Sequence, residues 1–239
     1  MKALILNSGT GSRMKSLTKD SPKCMTELNN GQTILSRQLE QLESQSIREI
    51  CITTGPFSEM LEKHAHEAAA AASLFFVHNP EYSATNYIYS IYLAKELLDD
   101  DIIMLHGDLV FSTDVLHDIM RVPDSAVVVS SELPLPEKDF KAVIAGKYVS
   151  AIGIEFFSQA LASQPLYKMN KNDWSIWLAE IESFIERGEK NCYAENAFNT
   201  VSQQCILLPF DIKSRLCAEI DTPEDLEAVN GLLLKGQAK

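Results

Sequence analysis

The sequence predicts an α/β protein, a single domain on a central mixed, mostly parallel sheet. Three observations point there. Short apolar runs alternate with amphipathic stretches through the first 130 residues, the pattern of a parallel sheet covered by helices on both faces. The runs are rich in β-branched residues and end at Gly, Pro or Asn, as buried strands do. The chain has 239 residues, 46% hydrophobic and 23% charged. That suits one large domain and excludes a disordered chain, a collagen-like repeat or a coiled coil.

The elements follow in order. Lys2 to Leu6 is an apolar strand that delivers the loop Asn7-Ser8-Gly9. Thr33 to Gln45 places Ile34, Leu35, Leu39 and Leu42 at helical spacing. Glu49 to Thr54 is a second strand, stopped by Gly55-Pro56. Ser58 to Ala72, rich in Ala, Glu and Lys, is a helix, and Leu74 to Val77 a third strand. Ile88, Ile91, Tyr92 and Leu98 share a helical face. Ile102 to His106 is a fourth strand ending at Gly107-Asp108, Thr113 to Met120 a short helix, and Ala126 to Ser130 a fifth strand.

Beyond residue 130 the alternation loosens. Pro134 and Pro136 mark a loop, and Phe140 to Gly153 reads as two strands around Gly146-Lys147. Asn172 to Gly188 is an amphipathic helix carrying Trp174, Trp177, Leu178, Ile181, Phe184 and Ile185, and Cys205 to Leu208 a strand. Thr222 to Leu233 is a helix opened by a Thr cap, Pro223 and two acids. No repeat or linker splits the chain. The expected division is a core over 1–130, an elaboration over 131–215 and a closing segment over 216–239.

Lys plus Arg is 21 and Asp plus Glu 33, a net charge of −12. A nucleic-acid binder held by phosphate contacts needs a basic face, so none is expected. No run approaches the ~20 apolar residues of a membrane span, and the N-terminus lacks a secretory pattern. Cys24, Cys51, Cys192, Cys205 and Cys217 contain no CxxC pair. They read as free thiols in a reducing, cytoplasmic setting, and zinc is not expected. His64, His66, His78, His106 and His117 form no ligand spacing and read as structural or surface residues.

The chemistry concentrates in Leu6-Asn7-Ser8-Gly9-Thr10-Gly11-Ser12-Arg13, followed by Pro22-Lys23. Glycines one residue apart let a backbone approach an anion and aim amides at it. Arg13 adds a planar donor fork and Lys23 a compact cation. A dinucleotide fingerprint would require a third glycine at Met14, and no phosphate-loop Gly-Lys-Ser/Thr string occurs.

This segment resembles the nucleotidyltransferase family with a G-x-G-[ST]-R…P-K signature, matched at Gly9, Gly11, Ser12, Arg13, Thr18, Pro22 and Lys23. His106-Gly107-Asp108 looks like that family's first metal-binding Asp. The stretch from Glu219 through Asp221 to Asp225 looks like the C-terminal motif that supplies the second. The resemblance implies a Rossmann-like, nucleotide-diphospho-sugar transferase-like fold, Mg²⁺ on Asp108 and Asp221, and catalytic Arg13 and Lys23. It also implies NMP transfer from an NTP onto a phosphorylated acceptor. Asn7-Ser8-Gly9 stands where sugar-nucleotide members usually have Ala-Gly-Gly. Asp108 and Asp221 each keep a second reading as helix caps.

Tyr82 to Tyr92 resembles the choline-phosphate cytidylyltransferase branch, which puts Thr85, Asn86 and Ser90 beside the base. Tyr193 to Asn196 resembles that branch's aromatic-plus-acid pocket for an ammonium. If the chain is extended there, Tyr193 and Glu195 point to one face. Tyr167 to Trp177 resembles a neighbouring segment in enzymes acting on phosphocholine or 2-aminoethylphosphonate, making Lys168 and Trp174 candidate contacts. Trp174 and Trp177 equally fit an apolar core stripe. The expected partners are CTP and a small aminoalkyl phosphate or phosphonate. The alternatives are a sugar-1-phosphate nucleotidyltransferase using UTP or dTTP, and a non-catalytic nucleotide-binding module.

Overall fold

The structure is a computed structural model that describes residues 1–9, 14 and 20–237. Thr10, Gly11, Ser12, Arg13 and Thr18 lie outside the described residues. The core sheet begins with β1 (Lys2–Asn7), β2 (Glu49–Thr54), β3 (Ser73–His78) and β4 (Ile102–His106). β1 pairs in parallel with β2 on one side and β4 on the other, and β2 in parallel with β3. The helices between them are α1 (Ile34–Ser44), α2 (Ser58–Ala68) and α3 (Tyr87–Ala94). Thr33 opens α1 with a reciprocal capping box to Ser36.

Alternation along the strands sorts side chains onto two faces. Ala3 and Ile5 of β1 join the buried cluster under α1, α2 and α4 (Thr113–Met120), while Leu4 and Leu6 join the cluster under α3. The second cluster is completed by α5 (Lys171–Glu186) and α6 (Ala194–Val201). Trp174 and Trp177 stand at its centre, both essentially fully buried. Their indole N–H groups donate to the carbonyls of Leu98 and Ala194, each at 2.9 Å. Cys24, Cys51, Cys192, Cys205 and Cys217 are all unpaired thiols.

One strand that the sequence pattern conceals sits mid-sheet. β9 (Ala160–Met169) runs antiparallel between β4 and β6 (Ala126–Ser130). Its sequence, ALASQPLYKM, is interrupted by Pro165, a residue that argues against a central strand. The register explains how it is tolerated. Leu166 to Met169 pair with β4, whereas Ala160 to Ala162 pair with β7 (Lys141–Ala145), and the β6 pairing slips between Val127 and Val129. Pro165 falls in that irregularity, where a missing N–H costs no ladder bond. Antiparallel β9 thus makes the sheet mixed.

The hairpin of β7 and β8 (Tyr148–Gly153) turns through Gly146, at φ +63°. The strand expected at Cys205 to Leu208 is displaced to β10 (Leu208–Asp211), parallel to β6. A separate two-stranded ribbon pairs β5 (Leu109–Phe111) with β11 (Cys217–Glu219), and α7 (Pro223–Gln237) follows.

Candidate active site

The chain leaves β1 toward β2 and β3 on one side and later returns to β4 on the other. Such a switch point opens a crevice beyond the strands' carboxyl ends. A cavity of about 400 Å³ lies there, floored by Leu6, Asn7, Ser8 and Gly9 at and beyond the end of β1 and by His106 and Asp108 at and beyond the end of β4. The floor is packed too tightly for other residues at Gly107 and Gly55. A Cβ on Gly107 would lie 1.6 Å from Asn7 Oδ1, and one on Gly55 2.3 Å from the Ser8 carbonyl oxygen. Asn7 is anchored through its backbone N–H, which donates to Thr53 Oγ1 at 3.0 Å.

The β5–β11 ribbon unites residues more than a hundred positions apart. Glu219 pairs with Leu109, and the Ile220 N–H donates to the Asp108 carbonyl at 3.0 Å. Asp221 therefore arrives beside Asp108. Lys23, in a 3-10 turn after Pro22, places its ammonium between them. Its Nζ donates to Asp108 Oδ2 at 2.5 Å and to the Asp221 carboxylate. Burial works against the Lys23 charge, but the two acids outweigh it and hold its pKa above the usual value. Burial likewise opposes the Asp108 charge, and Lys23 followed by His106 overcomes it, holding the carboxyl below its usual range.

The helix-cap alternatives fail at both acids. In α7 it is Thr222 whose hydroxyl accepts from the Asp225 N–H, at 3.2 Å, while Asp225 accepts from the backbone of Asp221 and Thr222. The helix after Asp108 starts at Thr113, with Ser112 in the cap position. Two carboxylates meeting at one cation, with Asp108 Oδ1 buried and without a hydrogen-bond partner among the described residues, suit a hard divalent ion such as Mg²⁺.

Thr85, Asn86 and Ser90 line the opposite wall, at the start of α3. The Thr85 and Ser90 hydroxyls accept from Asn79 Nδ2 at 3.1 and 3.0 Å, and Asn86 caps the helix by accepting from the Tyr87 N–H at 2.8 Å. Asn79 lines the cavity too. Sequence reading missed it because it precedes the Tyr82–Tyr92 segment and follows an ordinary strand.

The expected acceptor contacts divide. Tyr193 lines the cavity, its ring 5.9 Å from Tyr87 and edge-on to Phe140 at 5.0 Å. Glu195 does not line it. Tyr193 is in the cap position of α6, so the chain turns helical at Ala194 instead of staying extended. Glu195 is only 1% exposed and accepts from the hydroxyls of Tyr87 and Tyr167, the latter at 2.7 Å. Trp174 is a core residue, not a wall of the pocket, for its ring is buried against Trp177 and its N–H is spent on Leu98. Lys168 lies at the end of the strands opposite the cavity, paired with Ile103 and Ala126 near the starts of β4 and β6. Its Nζ donates to the carbonyls of Pro123 and Asp124, both at 3.3 Å, and to the Asn170 side chain.

His106, read from the sequence as a structural or surface residue, stands at the cavity. It lines the cavity, its Nδ1 lies 2.9 Å from Glu219 Oε1, and its ring meets Tyr87 edge-on at 4.8 Å. Burial lowers its pKa, but the bond to Glu219 outweighs that and raises it overall. Burial and the nearby Asp108 also raise Glu219. The available signal was position: His106 ends the strand two residues before Asp108.

A family model described as the MobA-like NTP transferase domain matches residues 3–151. The chain belongs to this family. Among curated relatives, the CMP-5'-(3-aminopropyl)phosphonate synthase of Streptomyces rubellomurinus is 32% identical over 131 residues, 55% of this chain and 21% of that protein. The CTP:phosphoglutamine cytidylyltransferase of Campylobacter jejuni is 30% identical over 135 residues, 54% of this chain and 52% of that one. The chain thus spans about half the length, or less, of these relatives. Its fold matches that of CTP:phosphocholine cytidylyltransferase from Streptococcus pneumoniae with a TM-score of 0.76, at 20% identity, covering 97% of this chain and 98% of that one. Among the described residues, no helix is long and apolar enough to cross a membrane.

Proposed function

We propose that this chain transfers CMP from CTP to a small amine-bearing phosphate or phosphonate and releases pyrophosphate. The carrying observation is Lys23 held between Asp108 and Asp221 on the cavity floor. The two curated relatives and the pneumococcal structure described above are each named for a CMP product or for CTP-dependent transfer, which favours CTP over other nucleotides.

The acceptor's phosphate oxygen attacks the α-phosphorus in line with the leaving pyrophosphate. A phosphate monoester is largely dianionic at neutral pH, with a second pKa near ~6, so no general base is needed. The task is to bring anions together. Lys23 supplies a positioned cation, and the backbone of Ser8 and Gly9 faces the same space. Arg13, with Thr10, Gly11 and Ser12, belongs in this reading to the phosphate-binding loop. Asp108 and Asp221 would hold a divalent cation such as Mg²⁺, and the ion would supply charge neutralisation for the phosphates there. Asn7, Thr85, Asn86 and Ser90 surround the base. Tyr193, Tyr87 and Phe140 offer aromatic surface to the acceptor's ammonium. Residues 131–215 supply Tyr193 and Phe140 of this acceptor side, 1–130 supply Tyr87, and 216–239 deliver Asp221.

The test is pyrophosphate release from CTP, UTP and dTTP with phosphocholine, phosphoethanolamine, 2-aminoethylphosphonate and glucose-1-phosphate. Turnover with CTP and an amine acceptor is expected. Turnover only with UTP or dTTP and the sugar phosphate overturns the acceptor class. Nucleotide binding with no turnover on any pair makes the chain a non-catalytic binding module.

A further inference from the structure

We infer that His106 supplies a nitrogen ligand, so that His106 and Asp108, with Glu219 orienting the imidazole, take a first-row transition-metal dication in preference to Mg²⁺. The inference builds on the reading of Asp108 as a metal ligand but needs no nucleotide and no transfer step. One ligand atom from each of His106, Asp108 and Glu219 lies within 4.8 Å of the other two. Each side chain has a constraint that fits this. His106 Nδ1 is paired with Glu219 at 2.9 Å, and the Tyr87 ring packs against the imidazole. A carboxylate that accepts the Nδ1 proton leaves the Nε2 lone pair free for a metal, the usual support of a ligating histidine. His106 Nε2 is buried and has no hydrogen-bond partner among the described residues, and Asp108 Oδ1 shares that condition. Lys23 engages Asp108 through its other oxygen, Oδ2. The unspent donor capacity is thus one imidazole nitrogen and one carboxylate oxygen.

That pair differs in kind from Asp108 with Asp221. Oxygen-only ligands suit Mg²⁺, which prefers oxygen and sheds water reluctantly. An imidazole nitrogen favours the transition ions. Manganese(II) binds most weakly of that series, so it makes the stringent probe, and its unpaired electrons report on its ligands.

The whole protein is loaded with manganese(II) alone, without nucleotide, and its electron spin echo modulation is recorded. A ¹⁴N modulation from a directly bound imidazole is expected. Calorimetry is expected to give manganese(II) an affinity about tenfold or more above that of Mg²⁺, and His106→Asn should abolish the ¹⁴N signal and most of that ratio. Manganese(II) bound without ¹⁴N modulation, or equal affinities for the two ions, overturns the inference. The wild-type spectrum decides even if the variant fails to fold. Absence of pyrophosphate release would overturn the transferase reading while leaving this spectrum intact.

Discussion

Lys23 Nζ lies 2.5 Å from Asp108 Oδ2, with the two side chains only 13% and 20% exposed. The ammonium is also shared with Asp221. Two acids separated by more than a hundred residues are therefore held together by a cation from the 3-10 turn Lys23–Met25, in a place where water screens little. A partly buried pair of this kind is costly to break by removing one partner, because the other charge is left unpaired.

Lys23→Ala should lower kcat by on the order of 10²-fold or more, the usual cost of losing a preorganised charge-stabilising group. It should also lower the melting temperature in the absence of Mg²⁺, because Asp108 and Asp221 lose the cation between them. Added Mg²⁺ should restore part of that melting temperature. Steady-state kinetics with parallel melting curves check this, and a near-native kcat would remove Lys23 from the chemistry.

Asp108→Asn and Asp221→Asn should each weaken Mg²⁺ binding by about tenfold or more in the presence of a non-hydrolysable CTP analogue. Asn keeps the size of the side chain and loses the charge that a hard cation needs. Calorimetric titration of Mg²⁺ is the measurement. Unchanged affinity in both variants would remove these acids from metal binding.

Glu195→Gln should act on stability more than on acceptor contact. The carboxylate accepts from both Tyr87 and Tyr167 in the interior, and an amide offers one oxygen in place of two. Leaving one buried phenol poorly paired costs about 1–3 kcal/mol. Chemical denaturation should report that loss, and the acceptor KM should rise only as far as the Tyr87 ring shifts against Tyr193. A large rise in acceptor KM with unaltered stability would return Glu195 to the pocket wall.

Glu43 gives a pH-dependent stability whose sign follows from its bonds. Burial pushes its carboxyl up, but the backbone N–H groups of Ala71, Ala72 and Ala70, at 2.8, 2.7 and 3.1 Å, outweigh that and hold it below its ordinary value of 4.5. A depressed folded-state pKa contributes stability above the unfolded value, and that contribution is lost as pH falls through the folded one. Glu43→Gln should therefore be less stable than the wild type near neutral pH, and the gap should close below about pH 4.5. Urea unfolding of both proteins at a series of pH values checks it. A gap independent of pH would mean that the amide loses packing and not charge.

The sequence by itself determined what local periodicity and short motifs can carry. The strands and helices up to Ser130 stand where their apolar spacing put them, because each buries a face repeating at its own period. The Asn7-Ser8-Gly9 loop and Pro22-Lys23 stood out beside a strand end and a proline, Asp108 and Asp221 through the family resemblance of the stretches that carry them, and the loop, Lys23 and both acids line one cavity. Tertiary structure alone decided the rest. β9 was hidden by Pro165 and is a strand only because a register slip accommodates it. Glu195 was expected beside Tyr193 on an extended chain, but the start of α6 turned it into the core toward two phenols. Lys168 went to the far ends of the strands and Trp174 to the interior, since neighbours in sequence need not face the same site. His106 became part of the site through Glu219, a partner 113 positions away. Such pairings depend on strand register and ribbon closure between distant segments, which no local pattern of residues records.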